Sequence, residues 1–290
     1  MLNQRKYTQI LLARQVKRIC CAWIISLILQ ESELCSMEHN GRGTKAIGMA
    51  NAFVAVSDNC WAIDYNPAGL TRLTAFQCAA FIVPSQFGLQ ELRTTAFAAA
   101  SPLTPVTMGI QVVKFGFDLY SETECGLACA VPIDKNISSG LNFNYQRLAL
   151  ARYGSAGSFS LDGGLIAHVL DRVDVGFSIH NITNAVLGKT DETMPQWCAL
   201  GTCWSAFHDL QISVEVEKDI RFPASIKMGI EQLVFTAFAL RAGMANNPDK
   251  YSIGIGATYS SFEFGYAGYS HPDLGWTHQI DLTFTLNKNN

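Results

Sequence analysis

Gly140-Leu141-Asn142-Phe143-Asn144-Tyr145-Gln146 is the stretch that decides the fold. In an extended chain successive side chains point to opposite faces. Leu141, Phe143 and Tyr145 therefore share one side, and Asn142, Asn144 and Gln146 the other. The period is two rather than the 3.6 of a helix. The polar side is made of amides, not of the Lys and Glu that a water-facing sheet surface carries. Such a side suits an enclosed polar interior, which leaves the apolar side to face outward.

The same alternation recurs in both directions. Gln211 to Glu217 divides into Ile212, Val214 and Val216 against Ser213, Glu215 and Glu217. Val173 to His180 and Thr277 to Leu286 divide in the same way. From Thr74 onward about fourteen such segments can be counted, centred near residues 79, 96, 110, 127, 143, 163, 177, 201, 213, 228, 240, 255, 266 and 281. Their spacing of about 15 residues fits a tilted, bilayer-crossing strand of roughly 9–11 residues plus a turn. An even count lets both ends of a closed barrel lie on one side. Turn residues fall between the segments, as in Pro132 to Asn136, Asn246 to Asp249 and His271 to Gly275. Phe115, Phe117, Tyr120, Phe262, Phe264, Tyr266, Tyr269 and Trp276 lie toward segment ends, where interface girdles are expected. The reading is an all-β chain: a membrane β-barrel of about fourteen antiparallel strands over residues 74–286.

Composition narrows the alternatives. The 290 residues are 49% hydrophobic but only 16% charged, below the roughly 25% of soluble chains. The longest apolar run, Ile19 to Leu29, falls short of the about 18 residues of a spanning helix, so a polytopic helical protein is excluded. A net charge of −3, with no Lys/Arg cluster beyond the first 18 residues, argues against a nucleic-acid surface. Arg5, Lys6, Arg14, Lys17 and Arg18 ahead of that apolar run have the order of a signal peptide over residues 1–36, with no A-x-A to fix the cleavage position. Of nine cysteines, Cys20, Cys21 and Cys35 belong to or border this leader. Cys60, Cys78, Cys125, Cys129, Cys198 and Cys203 show neither C-x-x-C nor zinc-site spacing and read as small wall residues. No metal or cofactor is expected.

Residues 41–73 break the alternation. Gly41-Arg42-Gly43-Thr44-Lys45-Ala46-Ile47-Gly48-Met49-Ala50-Asn51-Ala52-Phe53-Val54-Ala55-Val56 runs on to Asn66-Pro67-Ala68-Gly69-Leu70. This stretch is too apolar for a solvated tail and too irregular for a wall strand. Asn66-Pro67 forces a turn. Packed inside the barrel as a plug, the segment satisfies both constraints.

The segment resembles the N-terminal hatch of FadL-type barrels, and more closely that of their PorV/PorQ-like branch. Gly43, Ala46, Gly48, Met49, Ala52 to Val56 and Asn66 to Leu70 carry the likeness, with Gly48, Met49, Phe53, Asn66, Pro67, Ala68 and Gly69 as its hatch motif. The closing hairpin Ser270 to His278 resembles the family's as well. The resemblance implies a bacterial outer-membrane barrel without enzymatic activity. It leaves two functions open. FadL-type proteins imply passive uptake of small hydrophobic molecules through a hatch-gated barrel; PorV-type proteins imply a component handling cargo of a protein secretion system. The partners implied are outer-membrane lipid and either hydrophobic ligands or secretion-system proteins.

No catalytic motif competes: G-x-S-x-G, H-E-x-x-H and the P-loop are all missing from the sequence. Alternation places Glu215 and Glu217 on one inward face, Lys227 and Glu231 on the next, and Arg241 on a third. On adjacent antiparallel strands these form a lumen ionic cluster, either a wall-stiffening ladder, or a polar rail or an anchor for the hatch. In the third strand the apolar phase passes from Met108, Ile110 and Val112 to Val113, Phe115 and Phe117. A slip of this kind reads as a wall bulge at Val112, Val113 and Lys114. By resemblance to FadL-type transporters, it is a candidate lateral opening.

Overall fold

The computed structural model describes residues 41–188, 193–235 and 237–286. The expected leader at 1–36, with Cys20, Cys21 and Cys35, lies outside the described residues. Fourteen strands follow an internal segment. They are β1 (Gln77–Val83), β2 (Thr94–Leu103), β3 (Val106–Gly116), β4 (Tyr120–Pro132), β5 (Ile137–Leu150), β6 (Gly154–Leu170) and β7 (Val173–His180). The second half comprises β8 (Trp197–Phe207), β9 (Leu210–Asp219), β10 (Ser225–Val234), β11 (Phe238–Ala245), β12 (Lys250–Tyr259), β13 (Phe262–His271) and β14 (Gly275–Thr285). Every expected centre falls inside one of these strands, in order.

Each strand pairs antiparallel with its sequence neighbours, and β1 closes on β14 from Gln77↔Thr285 to Ile82↔Ile280. Closure removes the exposed edges that an open sheet would leave unpaired. Tight connections at one end, such as 104–105, 171–172 and 208–209, contrast with longer ones at the other, 84–93 and His180 to Trp197. Among the described residues the register shifts only where β6 meets β7, between His168 and Leu170, and where β8 meets β9, between Ser205 and Phe207.

The outer surface is apolar on every side. Ile110, Leu127, Leu141, Phe143, Leu200, Leu240, Ile253, Phe264 and Leu282 are all exposed. Soluble monomers rarely expose contiguous apolar patches beyond a few hundred Å², whereas a continuous apolar band is what hydrocarbon requires of a barrel. Asn142 and Asn144 are buried inside, as the alternation of β5 dictates. Three of the expected girdle aromatics turn inward instead. Tyr269 is buried against Phe87, and Phe115 and Tyr120 meet edge to face on the inner side.

The wall bulge expected at Val112, Val113 and Lys114 does not occur. β3 pairs without interruption from Thr94↔Phe115 to Leu103↔Val106 on one side and from Thr107↔Ala130 to Gly116↔Ser121 on the other. Val112 and Lys114 point outward and Val113 inward, in phase with Gln111 and Gly109. The apparent slip arises because Val113 packs, 3% exposed, into an apolar cluster inside the lumen. An apolar residue on the inner face needs no change of register when the interior there is itself apolar.

That cluster belongs to residues 41–73. The segment contains two short helices, α1 (Thr44–Gly48) and α2 (Ala62–Tyr65), and a 3₁₀ turn at Pro67–Arg72. Ile47, Met49, Phe53, Trp61, Ile63 and Leu70 in it are fully buried. Such short helices are unstable alone. They persist here because the barrel wall encloses them.

Candidate functional site

The interior holds two unlike surfaces. On one side Ala79, Phe81 and Val83 of β1, Ala96, Ala98 and Ala100 of β2, and Val113 of β3 form a continuous apolar lining. Ala128 and Ala130 of β4 and Ala267 and Tyr269 of β13 extend it. Trp61, Ile63 and Leu70 of the internal segment pack on this lining, with Trp61 meeting the Phe81 ring edge to face at 5.7 Å. Phe87, from the connection after β1, covers the cluster and contacts Tyr269 at 6.2 Å and His271 at 5.3 Å.

The other surface is polar and grips the segment through directed bonds. Glu215 on β9, 2% exposed, accepts from the backbone N–H of Phe53 (2.9 Å) and Val54 (2.8 Å). Lys227 stands directly opposite Glu215 and bonds both Glu215 (3.3 Å) and Glu217 (2.5 Å). Glu231 faces Arg241 across β10 and β11 and accepts from its Nε at 2.6 Å; Arg241 also reaches Glu263 at 3.0 Å. Lys45 of the segment bridges Glu231 (2.8 Å) and Asp58 (2.7 Å). The five residues of the ionic cluster thus form two groups, each with a contact to the internal segment. Burial by itself would lower the Lys45 ammonium, but the carboxylates of Asp58 and Glu231 more than offset it and hold it raised.

Several contacts of the same kind were not singled out in the sequence. Thr44 donates its N–H and its hydroxyl to Asp281 on β14, both at 2.8 Å. Arg42 pairs with Asp64 within the segment and with Glu124 on β4 at 2.9 Å. Arg72 bonds Asp174 on β7 at 2.8 Å and the carbonyls of Ala55 (3.0 Å) and Val56 (2.5 Å). In these ionic contacts the wall supplies carboxylates, and the segment supplies cations, a hydroxyl and backbone N–H groups. Glu124, Asp174 and Asp281 lie at inward positions of their strands, so alternation alone was signal enough to nominate them.

The hatch-motif residues occupy contact points. Asn66, fully buried, donates to the carbonyls of Val54 (2.8 Å) and Leu165 (3.0 Å) and accepts from Ala68 N–H, capping the 3₁₀ turn that Pro67 begins. Phe53 meets Tyr65 edge to face at 5.2 Å. Gly69 lies so close to Ser57 that an added Cβ would stand 2.0 Å from its carbonyl oxygen. Gly48 and Met49 press against the wall at Gly254, Gly229 and Gly243, and Pro67 and Ala68 at Gly140.

Those wall glycines are part of a larger set. One inward glycine on each of β3, β5, β6, β7, β8, β10, β11, β12 and β13 touches the segment: Gly109, Gly140, Gly164, Gly176, Gly201, Gly229, Gly243, Gly254 and Gly265. At Gly176 an added Cβ would fall 2.3 Å from the Val54 carbonyl oxygen. Backbone-to-backbone approach of this kind leaves no room for a side chain.

Where the segment meets β4 to β8 a small cavity of about 50 Å³ remains, lined by Arg42, Asp64, Glu124, Asp162, His180 and Trp197. His180 donates from Nε2 to the Tyr65 carbonyl at 3.1 Å and stacks on Trp197 at 3.6 Å. The six cysteines within the described residues are free thiols, and burial pushes the Cys60 thiol up. Among the described residues no group of His, Cys, Asp or Glu is arranged to hold a metal ion.

No family model matches the sequence, and no curated protein matches it. Solved structures do share its shape. The P. putida toluene transporter TodX superposes with a TM-score of 0.68 at 10% identity, over 87% of this chain and 100% of its own. The Ralstonia pickettii toluene transporter TbuX gives 0.65 at 11% identity, over 86% and 98%. The monoaromatic hydrocarbon channel CymD gives 0.63 at 12% identity, over 86% and 99%. These neighbours are channels and transporters rather than enzymes. At such identity the likeness is one of architecture: the chain has the fold of the FadL-type outer-membrane barrels.

Proposed function

We propose that this chain is a passive, non-enzymatic pathway for small hydrophobic molecules across the bacterial outer membrane, closed at rest by residues 41–73 acting as a hatch. The observation that carries this reading is the apolar lining of the lumen on β1 to β4 and β13, continuous with Trp61, Ile63 and Leu70. A barrel that passes water-soluble solutes lines its interior with polar side chains; an apolar inner stripe offers partition to apolar ones. The toluene-transporting neighbours support the same substrate class.

In this mechanism the hatch is held on its polar side by the bonds from Glu215, Glu231, Asp174 and Asp281. On its apolar side non-directional contact predominates, supplemented by the Cys60 N–H donating to Gln77 on β1 (2.7 Å) and by Arg42 pairing with Glu124 on β4 (2.9 Å). A hydrophobic solute entering past Phe87 competes for the contact that Trp61 makes with Phe81, and the hatch yields there first. Because β2, β3 and β4 pair without a gap, the route runs along the inner wall and not sideways through the third strand.

The test is accumulation of labelled toluene by cells that carry this barrel as their sole hydrophobe channel. Uptake above that of cells without it, and reduced by Phe81→Asp in a barrel that still inserts, is the expected result. Uptake equal to the channel-free cells overturns the reading. Secretion-system proteins co-purifying with the crosslinked barrel would then favour the cargo-handling role instead.

A further inference from the structure

The charges on the strands are sorted by side. Every Asp and Glu in β1 to β14 occupies an inward position, among them Glu124, Asp162, Glu215 and Asp281. The outward positions carry no carboxylate, but they do carry Lys114 on β3, Arg147 on β5 and Lys218 on β9. All three lie near the end of the barrel with the longer connections. Lys218 is occupied, donating to the Phe222 carbonyl at 2.5 Å.

Lys114 and Arg147 are arranged differently. Each is directly opposite Thr123 in the register, one from β3 and one from β5, so the three side chains form a single outward rung. With strands about 4.8 Å apart, the two cations start roughly 10 Å from each other. Their long stems allow both heads to converge on one group. The rung toward the barrel middle, Val112, Cys125 and Tyr145, belongs to the apolar band, so Lys114 and Arg147 mark its edge. Both are exposed, and neither forms an ion pair among the described residues; Arg147 donates to Ser155 Oγ at 3.1 Å. In the adjoining connections, Asp118 and Arg152 contribute one charge of each sign and leave the pair's excess intact.

We propose that Lys114 and Arg147, with the Thr123 hydroxyl between them, bind the phosphate group of an anionic lipid in the leaflet at the long-connection end. Position commits the occupant. A site facing outward at the boundary of the apolar band meets lipid headgroups, and guanidinium and ammonium groups are the side chains suited to phosphate. The bound lipid would fix the depth of β3 to β5 in the membrane.

The barrel would be reconstituted in nanodiscs of phosphatidylcholine with a minor fraction of phosphatidylglycerol, released, and weighed by native mass spectrometry. Preferential retention of phosphatidylglycerol is expected. Lys114→Gln with Arg147→Gln should lower that preference about thirtyfold, from the usual contribution of two basic residues at an anionic surface. Lys218→Gln should leave it unchanged. Equal retention in the double variant, or an equal loss in Lys218→Gln, overturns the proposal. Heat-modified migration on electrophoresis checks folding, and each single variant gives the same reading, at about fivefold, if the double variant does not insert.

Discussion

Two surfaces of the lumen hold the same segment by largely different means. Along β1 to β4 and β13, Trp61, Ile63 and Leu70 lie in an apolar core whose attraction is non-directional and scales with area. On β7, β9, β10 and β14, and at Glu124 on β4, the segment is held by carboxylates that each meet a specific N–H or cation. The difference teaches which side can yield. An apolar contact can be exchanged for contact with an apolar solute at little net cost. A buried carboxylate that loses its partner has no substitute.

The sharpest way to break this comparison is Glu215→Ala. It takes the carboxylate from the Val54 N–H, leaves the Phe53 N–H with the Asn51 carbonyl alone and Lys227 with Glu217, so the internal segment should lose about 3–5 kcal/mol of its seating. The expected outcome is raised ion conductance in a planar bilayer and faster proteolysis within 41–73. Unchanged conductance would mean the polar side is not what seals the barrel. Trp61→Ala should cost a similar or slightly smaller amount, about 3–5 kcal/mol, and lower the thermal midpoint. Its distinguishing mark is that ion conductance stays low while hydrophobe passage changes; an ion leak equal to that of Glu215→Ala would erase the division.

Gly176→Ala sharpens the comparison more gently. Its new methyl would meet the Val54 carbonyl, and overpacking of this kind costs about 1–3 kcal/mol. A lowered midpoint with weakened seating of the internal segment is expected from calorimetry and limited proteolysis. The smallest effect belongs to the outer face: Ile110→Val, pointing at lipid, should shift stability by under about 0.5 kcal/mol and leave conductance alone. A large loss there would show that Ile110 supports the interior through the wall.

Residue parity explains what the sequence made legible. Asn142 and Asn144 inside, Leu141 and Phe143 outside, follow from a period of two, and a closed barrel turns that local rule into global position. Lys227 opposite Glu215, and Glu231 opposite Arg241, were readable on the same ground. Val113, Phe115 and Tyr269 were misread because inward was equated with polar, and the internal segment makes part of the lumen apolar. Asp174 and Asp281 passed unremarked since nothing local says which inward acid meets Arg72 or Thr44.

The sequence by itself determined the strands, their approximate number, the side most of their residues face and the irregularity of 41–73, because all of these depend on neighbours one or two positions away. That the segment packs inside the barrel could be argued from its composition, but only the tertiary structure decided which wall residues it meets. Its contacts join residues far apart in the chain, as Thr44 meets Asp281 and Phe53 meets Glu215. The wall glycines show the limit most plainly: along the strand Gly176 is merely a weak β-former, and only the backbone of Val54 packed against it gives it a purpose.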